Sequence, residues 1–300
     1  MNKANKIDLF LDSGAFSAKT QGIDINIEEY IAFIKEHEHL LTVYANLDVI
    51  GSAEGTWRNQ MLMEKAGLKP LPTFHYGEDL KWLRRYINRG YDYIALGGMV
   101  KTPNLIAWLD DIWHKYLTDE QGMPRIKVHG FGMTSLSLML RYPWYSVDST
   151  SWVVAGRLGS IYIPTRSLKD KTWVYDEKSW KIAVSSQSPN LKEAGQHYKT
   201  LSPLRQKIVD EYLQEKGYVM GHSDFRMESQ EYELQPNERW VGKRPEDKKI
   251  QRKVECIVEE GVSNRYQLRD EINIQYFMDL ERNIQEWPWK FKLQSQEGLF

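Results

Sequence analysis
Short apolar runs alternate with amphipathic stretches from residue 7 to about residue 185. Ile7–Leu11 is strand-like and gives out at Asp12-Ser13-Gly14. Tyr30, Ile31, Phe33 and Ile34 recur at helical spacing and predict a helix over about Ile27–His37. The alternation continues with strands at Leu41–Leu47, Pro70–Phe74, Tyr91–Leu96 and Arg125–Val128. Helices are expected between them over about Ala53–Ala66, Asp79–Arg89 and Leu105–Tyr116, with a short one over Ser135–Arg141. Tyr145–Val147, Ser160–Ile163 and Trp180–Val184 supply further candidate strands. Strands separated by helices argue for a mainly parallel sheet. With no nucleotide-binding fingerprint in the chain, a TIM-type (β/α)8 barrel is favoured over an open sheet, shortened or irregular because the later strands lack intervening helices.

Beyond about residue 186 the pattern changes. Ser202-Pro203 is a strong helix start, a capping residue followed by proline at the first helical position. Residues 221–247 read as irregular, and helices are expected over about Asp247–Glu260 and Tyr266–Gln285, the latter stopped by Pro288. The expected division is thus a barrel over residues 1–185 and a helical appendage over 186–300.

Composition narrows the chemistry. The 40 basic and 41 acidic residues nearly cancel, so a polyanion would have to be held by a local patch. The single cysteine, Cys256, excludes an intrachain disulfide and any site built from several thiolates. The opening MNKANKIDLF lacks the apolar core of a signal peptide and no stretch is long enough to span a bilayer, so a reducing, cytoplasmic setting with no membrane association is expected. Most of the 11 tryptophans are expected in the core, with some available as stacking walls for a flat ligand.

In a barrel, side chains at the C-terminal strand ends converge on one mouth. Asp12 and Asp148 hold such places, and a pair of carboxylates suits attack on a sugar carbon by one and proton movement on the leaving group by the other. The bland reading is that each caps a turn. Asp48 is a third acid, His75 and His129 end two strands, and the pair Gly97-Gly98 lets a backbone approach a planar ligand closely. No short ligand spacing supports a metal, and neither metal nor cofactor is expected.

Four of these segments carry a resemblance. DSGAFS (12–17), ALGGMV (95–100), HGFGMTS (129–135) and YSVDSTSW (145–152) resemble, in order and approximate spacing, segments of the tRNA-guanine transglycosylases over about residues 7–165. That family has a (β/α)8 barrel and exchanges guanine for a 7-deazaguanine through a covalent sugar–aspartate intermediate; related enzymes, including phage-encoded ones, act on DNA. The resemblance implies that Asp148 is the nucleophile and Asp12 the general acid/base, with Ser13 and the Gly14 backbone beside it. It implies that Asp48 reads the base edge, that Gly97 and Gly98 donate N–H groups to the base carbonyl, and that Phe16 and Met99 sandwich the ring. His129 and Gly132 complete the base site, and His75 stands where the family often has glutamine. The family's zinc, held by three cysteines and a histidine, has no counterpart here, so the tRNA-gripping region is replaced and DNA is the expected partner ahead of RNA, with a free 7-deazaguanine base as co-substrate. The basic stretch Lys243–Lys253 is a candidate phosphate contact or a solvated helix face. The competing expectations are a DNA glycosylase that uses water and leaves an abasic site, a non-catalytic nucleic-acid-binding barrel, and a barrel enzyme acting on free nucleosides.

Overall fold
The computed structural model describes residues 8–100, 102–133, 135–188, 191–247 and 249–293. The chain is a mixed α/β protein made of two compact units, one formed by the chain up to Ser149 together with the segment from Gln285 onward, the other by Thr150–Ile284. Among the described residues no helix is long and apolar enough to cross a membrane.

The first unit alternates strand and helix: β1 (Leu9–Leu11), α1 (Ala15–Gln21), α2 (Ile27–His37), β2 (Leu41–Tyr44), α3 (Ala53–Lys65), β3 (Thr73–His75), α4 (Leu80–Asn88), β4 (Tyr93–Gly97), α5 (Leu105–Ile112), β5 (Lys127–Gly130), α6 (Leu136–Arg141) and β6 (Ser146–Val147). The helix starts are chemically marked. The Asn26 side chain accepts from two N–H groups of α2, Ser52 caps α3 and Asp79 caps α4. β1 pairs with β2, and β3, β4, β5 and β6 pair in that order, all parallel. A parallel bridge from Ala45 to Leu71 links the β2 segment to the β3 segment. Spatial order therefore follows chain order.

Burial explains the arrangement. Ile94, Ala95 and Leu96 of β4, Phe74 of β3 and Val128 of β5 are wholly buried, as parallel strands covered on both faces must be. Tyr30 and Ile34 of α2 pack with Tyr44, Leu47, Met63 and Leu68 against the early strands. Each fully buried aliphatic side chain contributes about 1.5–3 kcal/mol. The C-terminal segment belongs here because Phe291 stacks on Tyr142 at 5.5 Å, its N–H donates to the Gly122 carbonyl at 2.9 Å, and Trp287 Nε1 donates to the Pro143 carbonyl at 3.1 Å.

The second unit holds α7 (Ser151–Arg157), β7 (Ser160–Ile163), β8 (Thr165–Arg166), β9 (Trp173–Val174), β10 (Trp180–Ala183), α8 (Pro203–Glu215), β11 (His222–Glu228), β12 (Glu238–Trp240), β13 (Arg252–Glu259) and α9 (Tyr266–Asn283). β7 and β10 pair antiparallel, with only the β8–β9 hairpin between them. A parallel pairing needs a long crossover, commonly a helix, and none is there. These strands thus do not continue the parallel series, and the sheets do not trace a clear closed eight-stranded barrel. α9 is tied down by Asn273, which accepts from the Tyr162 N–H and donates to the Trp152 and Ser160 carbonyls.

Two expectations for the C-terminal third are corrected. The helix expected over 247–260 is largely strand β13, and the supposedly irregular 221–247 contains β11 and β12, which flank β13 in an antiparallel sheet. Val254, Ile257 and Val258 favour extended backbone. Glu255, within the same strand, is fully buried and held by Arg239 and Ser186.

Candidate active site
Side chains two apart on a strand share a face, and one face of the parallel strands collects the polar and aromatic residues of the site. β1 contributes Phe10 and, just past its end, Asp12. β3 contributes His75, β4 Tyr93 and Gly97, β5 His129 with Phe131 beyond it, and β6 Ser146 followed by Asp148. The Phe10 ring stacks on the His129 imidazole, 4.4 Å between centroids, while Phe131 meets the same imidazole edge-on at 4.6 Å. β1 and β5 are not hydrogen-bonded neighbours, so this contact means that the strands curl and bring their ends together.

Asp48 lies at the centre of a side-chain cluster just beyond β2. Ser13 Oγ donates to one of its oxygens at 2.7 Å, and His75 Nε2 lies 2.9 Å from the other. The second ring nitrogen of His75 is 3.4 Å from Glu78 Oε1, and the His75 N–H donates to Glu78 Oε2 at 3.0 Å. Burial would lower the pKa of the imidazole, but the hydrogen bonds to Asp48 and Glu78, together with their charges, push it up to about 9. His75 is therefore a cation at neutral pH, clamped between two carboxylates.

Asp12 sits beside this cluster. Its pKa is raised by burial first, against the opposing backbone N–H of Gly14, and then by the charges of Asp48 and Asp148. Behind it Tyr30 donates to the Ala45 carbonyl at 2.9 Å; burial and the charges of Asp12 and Asp48 keep that phenol protonated. Gly14 takes a left-handed conformation, φ 71°, as the chain turns from Asp12-Ser13 into α1.

Asp148 is half exposed. One of its oxygens accepts from the Gly132 N–H at 2.7 Å and lies 3.6 Å from His129 Nε2. His129 is buried, and its Nδ1 is 2.6 Å from Ser146 Oγ, which is 2.5 Å from the Tyr93 hydroxyl. Tyr93, Ser146 and His129 thus form one hydrogen-bonded relay behind Asp148. His129 Nε2, on the other side of the ring, makes no hydrogen bond among the described residues and faces Asp148 across 3.6 Å.

The structure thus brings Asp12, Ser13, Gly14, Asp48, His75, His129, Gly132 and Asp148 into one neighbourhood. Gly97 and Gly98 lie there as well. A Cβ on Gly97 would fall 2.7 Å from His75 Cδ2, and Gly98, at φ 71°, would meet the Tyr76 N–H, so the pair makes room for the His75 loop. Met99 is buried and Phe16 is 71% exposed. Phe10 and Phe131 are rings that line the cluster. Phe10, Glu78, Tyr93 and Ser146 were not among the expected residues. For three of them the signal was present: each lies on the same strand face as an expected residue, Phe10 two before Asp12, Ser146 two before Asp148, Tyr93 four before Gly97. Glu78 carries no such mark.

A cavity of about 380 Å³ adjoins Asp48, lined also by Ala15, Lys19, Asp24, Ile50 and Asn59. Among the described residues no group of three or more His, Cys, Asp or Glu side chains is placed to hold a metal ion. Chemically, the arrangement offers a partly free carboxylate, a second carboxyl group with a raised pKa, and a fixed cation that neutralises a third acid. Comparison with protein-family models, with curated proteins and with solved structures finds no match.

Proposed function
We propose that the chain breaks the N-glycosidic bond of a base in DNA and replaces the base with a 7-deazaguanine derivative. Asp148 attacks the anomeric carbon and forms a C–O bond as the C–N bond breaks, its electron pair leaving with the base. Asp12, whose raised pKa favours the protonated form, gives its proton to the departing nitrogen. An incoming base then returns a proton to the Asp12 carboxylate and displaces Asp148 from the sugar. Asp48, fixed by Ser13 and His75, faces the edge of the base. On this reading the curled parallel strands are part of a (β/α)8-type barrel, whose mouth receives a nucleotide extruded from the helix or taken from a single strand.

One observation carries the proposal. Phe10, two residues before Asp12, stacks on His129, whose Nε2 lies 3.6 Å from Asp148, so the two acids stand at one site although they come from β1 and β6. The test is incubation with normal and modified DNA, with and without a free 7-deazaguanine, followed by mass spectrometry of released and incorporated base. Asp148→Ala should abolish both products with the fold intact. Incorporated base supports exchange, and abasic sites alone would replace it by hydrolysis. Undiminished turnover by Asp148→Ala would remove that residue from the mechanism.

A further inference from the structure
We infer that the outer face of α4 is a phosphate-binding surface for a nucleic-acid strand. Leu83 and Tyr86 bury one side of this helix in the core, while Lys81, Arg84, Arg85 and Arg89 are exposed on the other. The helix has no acidic residue within Leu80–Asn88. The nearest carboxylates serve its two ends, Asp79 beside Lys81 at 3.3 Å and Glu64 beside Arg89 at 2.7 Å. Among the described residues neither Arg84 nor Arg85 has a carboxylate within ion-pair distance. On a chain whose charges nearly cancel, such a one-signed cluster makes a local field that attracts polyanions.

Tryptophan orders the cluster. The Arg85 guanidinium lies 4.6 Å from the Trp82 ring centre and 5.0 Å from that of Trp57, and Arg89 lies 5.7 Å from Trp57. A guanidinium stacked on an indole keeps its in-plane N–H donors free, the fork that fits a phosphate. A recess of about 470 Å³ lies among these side chains. Lys81 to Arg89 covers about 12 Å of helix axis, the span of a few nucleotides. A lipid surface fits less well, because the apolar side of α4 is already committed to the core and has nothing to insert.

The patch also begins beside the candidate site. Asp79, the α4 cap, directly follows Glu78, which holds His75. A strand with one nucleotide in the site would run onto α4. The choice of DNA among polyanions rests on the proposed glycosidic chemistry, whereas the patch itself does not.

The experiment measures binding of labelled single-stranded and duplex oligonucleotides across a salt series, using the wild type, the triple variant Lys81→Gln/Arg84→Gln/Arg85→Gln, and Asp148→Asn. The triple variant should lose about five- to eightfold in affinity per phosphate contact at about 0.1 M salt, and its log K against log salt plot should flatten by roughly two to three. Asp148→Asn, which removes one of the charges that repel phosphate, should bind no more weakly than the wild type. Equal affinity and salt slope in the triple variant would overturn the proposal. So would a wild type that ignores oligonucleotides yet binds phosphatidylserine vesicles or polyglutamate through these side chains. If the triple variant loses binding while the wild type releases no base, the surface stands and the chemistry falls. If free nucleosides are processed equally by both, and the polymer only by the wild type, both readings stand.

Discussion

His75 couples folding to pH. In the folded chain its pKa is about 9, because the bonds to Asp48 and Glu78 overcome the opposing effect of burial, and its ordinary value is 6.5. Between those values the folded chain binds one proton more than the unfolded chain. Stability from this group is therefore fully present below 6.5 and is lost as pH rises through 9. Each pH unit is worth about 1.36 kcal/mol, so the window of about two and a half units amounts to roughly 3 kcal/mol. The side chain is only 14% exposed, which keeps solvent screening small. Denaturant unfolding at about pH 6.5 and about pH 9.5 measures it, with His75→Gln as the reference. The wild type should lose roughly 3 kcal/mol more than the variant across that range. Gly97→Ala offers an independent route, since its Cβ would press on His75 Cδ2 and displace the ring from Asp48. Parallel pH dependence in wild type and His75→Gln would refute the reasoning.

Two further outcomes follow from the same neighbourhood. Asp12→Asn should lower turnover about 10²–10⁴-fold, the range for a lost general acid–base group. It should also raise the unfolding midpoint at neutral pH, since a carboxyl group whose folded pKa is raised costs stability once ionised, and the gain should fade in acid; a pair of denaturation curves shows both. Ser146→Ala removes the link between Tyr93 and His129 and leaves two largely buried polar groups without their partner, costing about 1–3 kcal/mol of stability. If the relay orients Asp148, kcat for base release should fall by about 10–10² while KM holds; loss of stability alone would assign Ser146 a purely structural part.

Much of the first unit was legible because local and global preferences agree there. The helix over 27–37 matches its sequence reading residue for residue, since Asn26 caps it and Tyr30 and Ile34 recur at helical spacing on its buried side. What failed was decided by distant partners. Glu255 is fully buried and held by Arg239, Ser186 and Gln187, which come from outside the stretch first read as a helix. The segment after Gln285 looks like part of an appendage until Phe291 and Trp287 find Tyr142 and Pro143. At the site, acids at strand ends were conspicuous, whereas the residues one or two pleats below them were not. Tyr93 and Ser146 read as ordinary strand residues until β4, β5 and β6 place them side by side.

The charge balance of the site links it to α4. Asp48 and Glu78 flank the buried His75 imidazolium, and the charges of Asp48 and Asp148 both act on Asp12. Such surroundings favour the positive charge that builds on a sugar ring as its glycosidic bond breaks. They also repel the phosphates on either side of that sugar. A protein that draws a nucleotide into an acidic recess must therefore hold the flanking backbone outside it, on a surface of opposite sign. Lys81, Arg84 and Arg85 supply that sign three to seven residues beyond Glu78, so under the proposed function the acidic recess and the basic helix are complementary requirements of a single substrate.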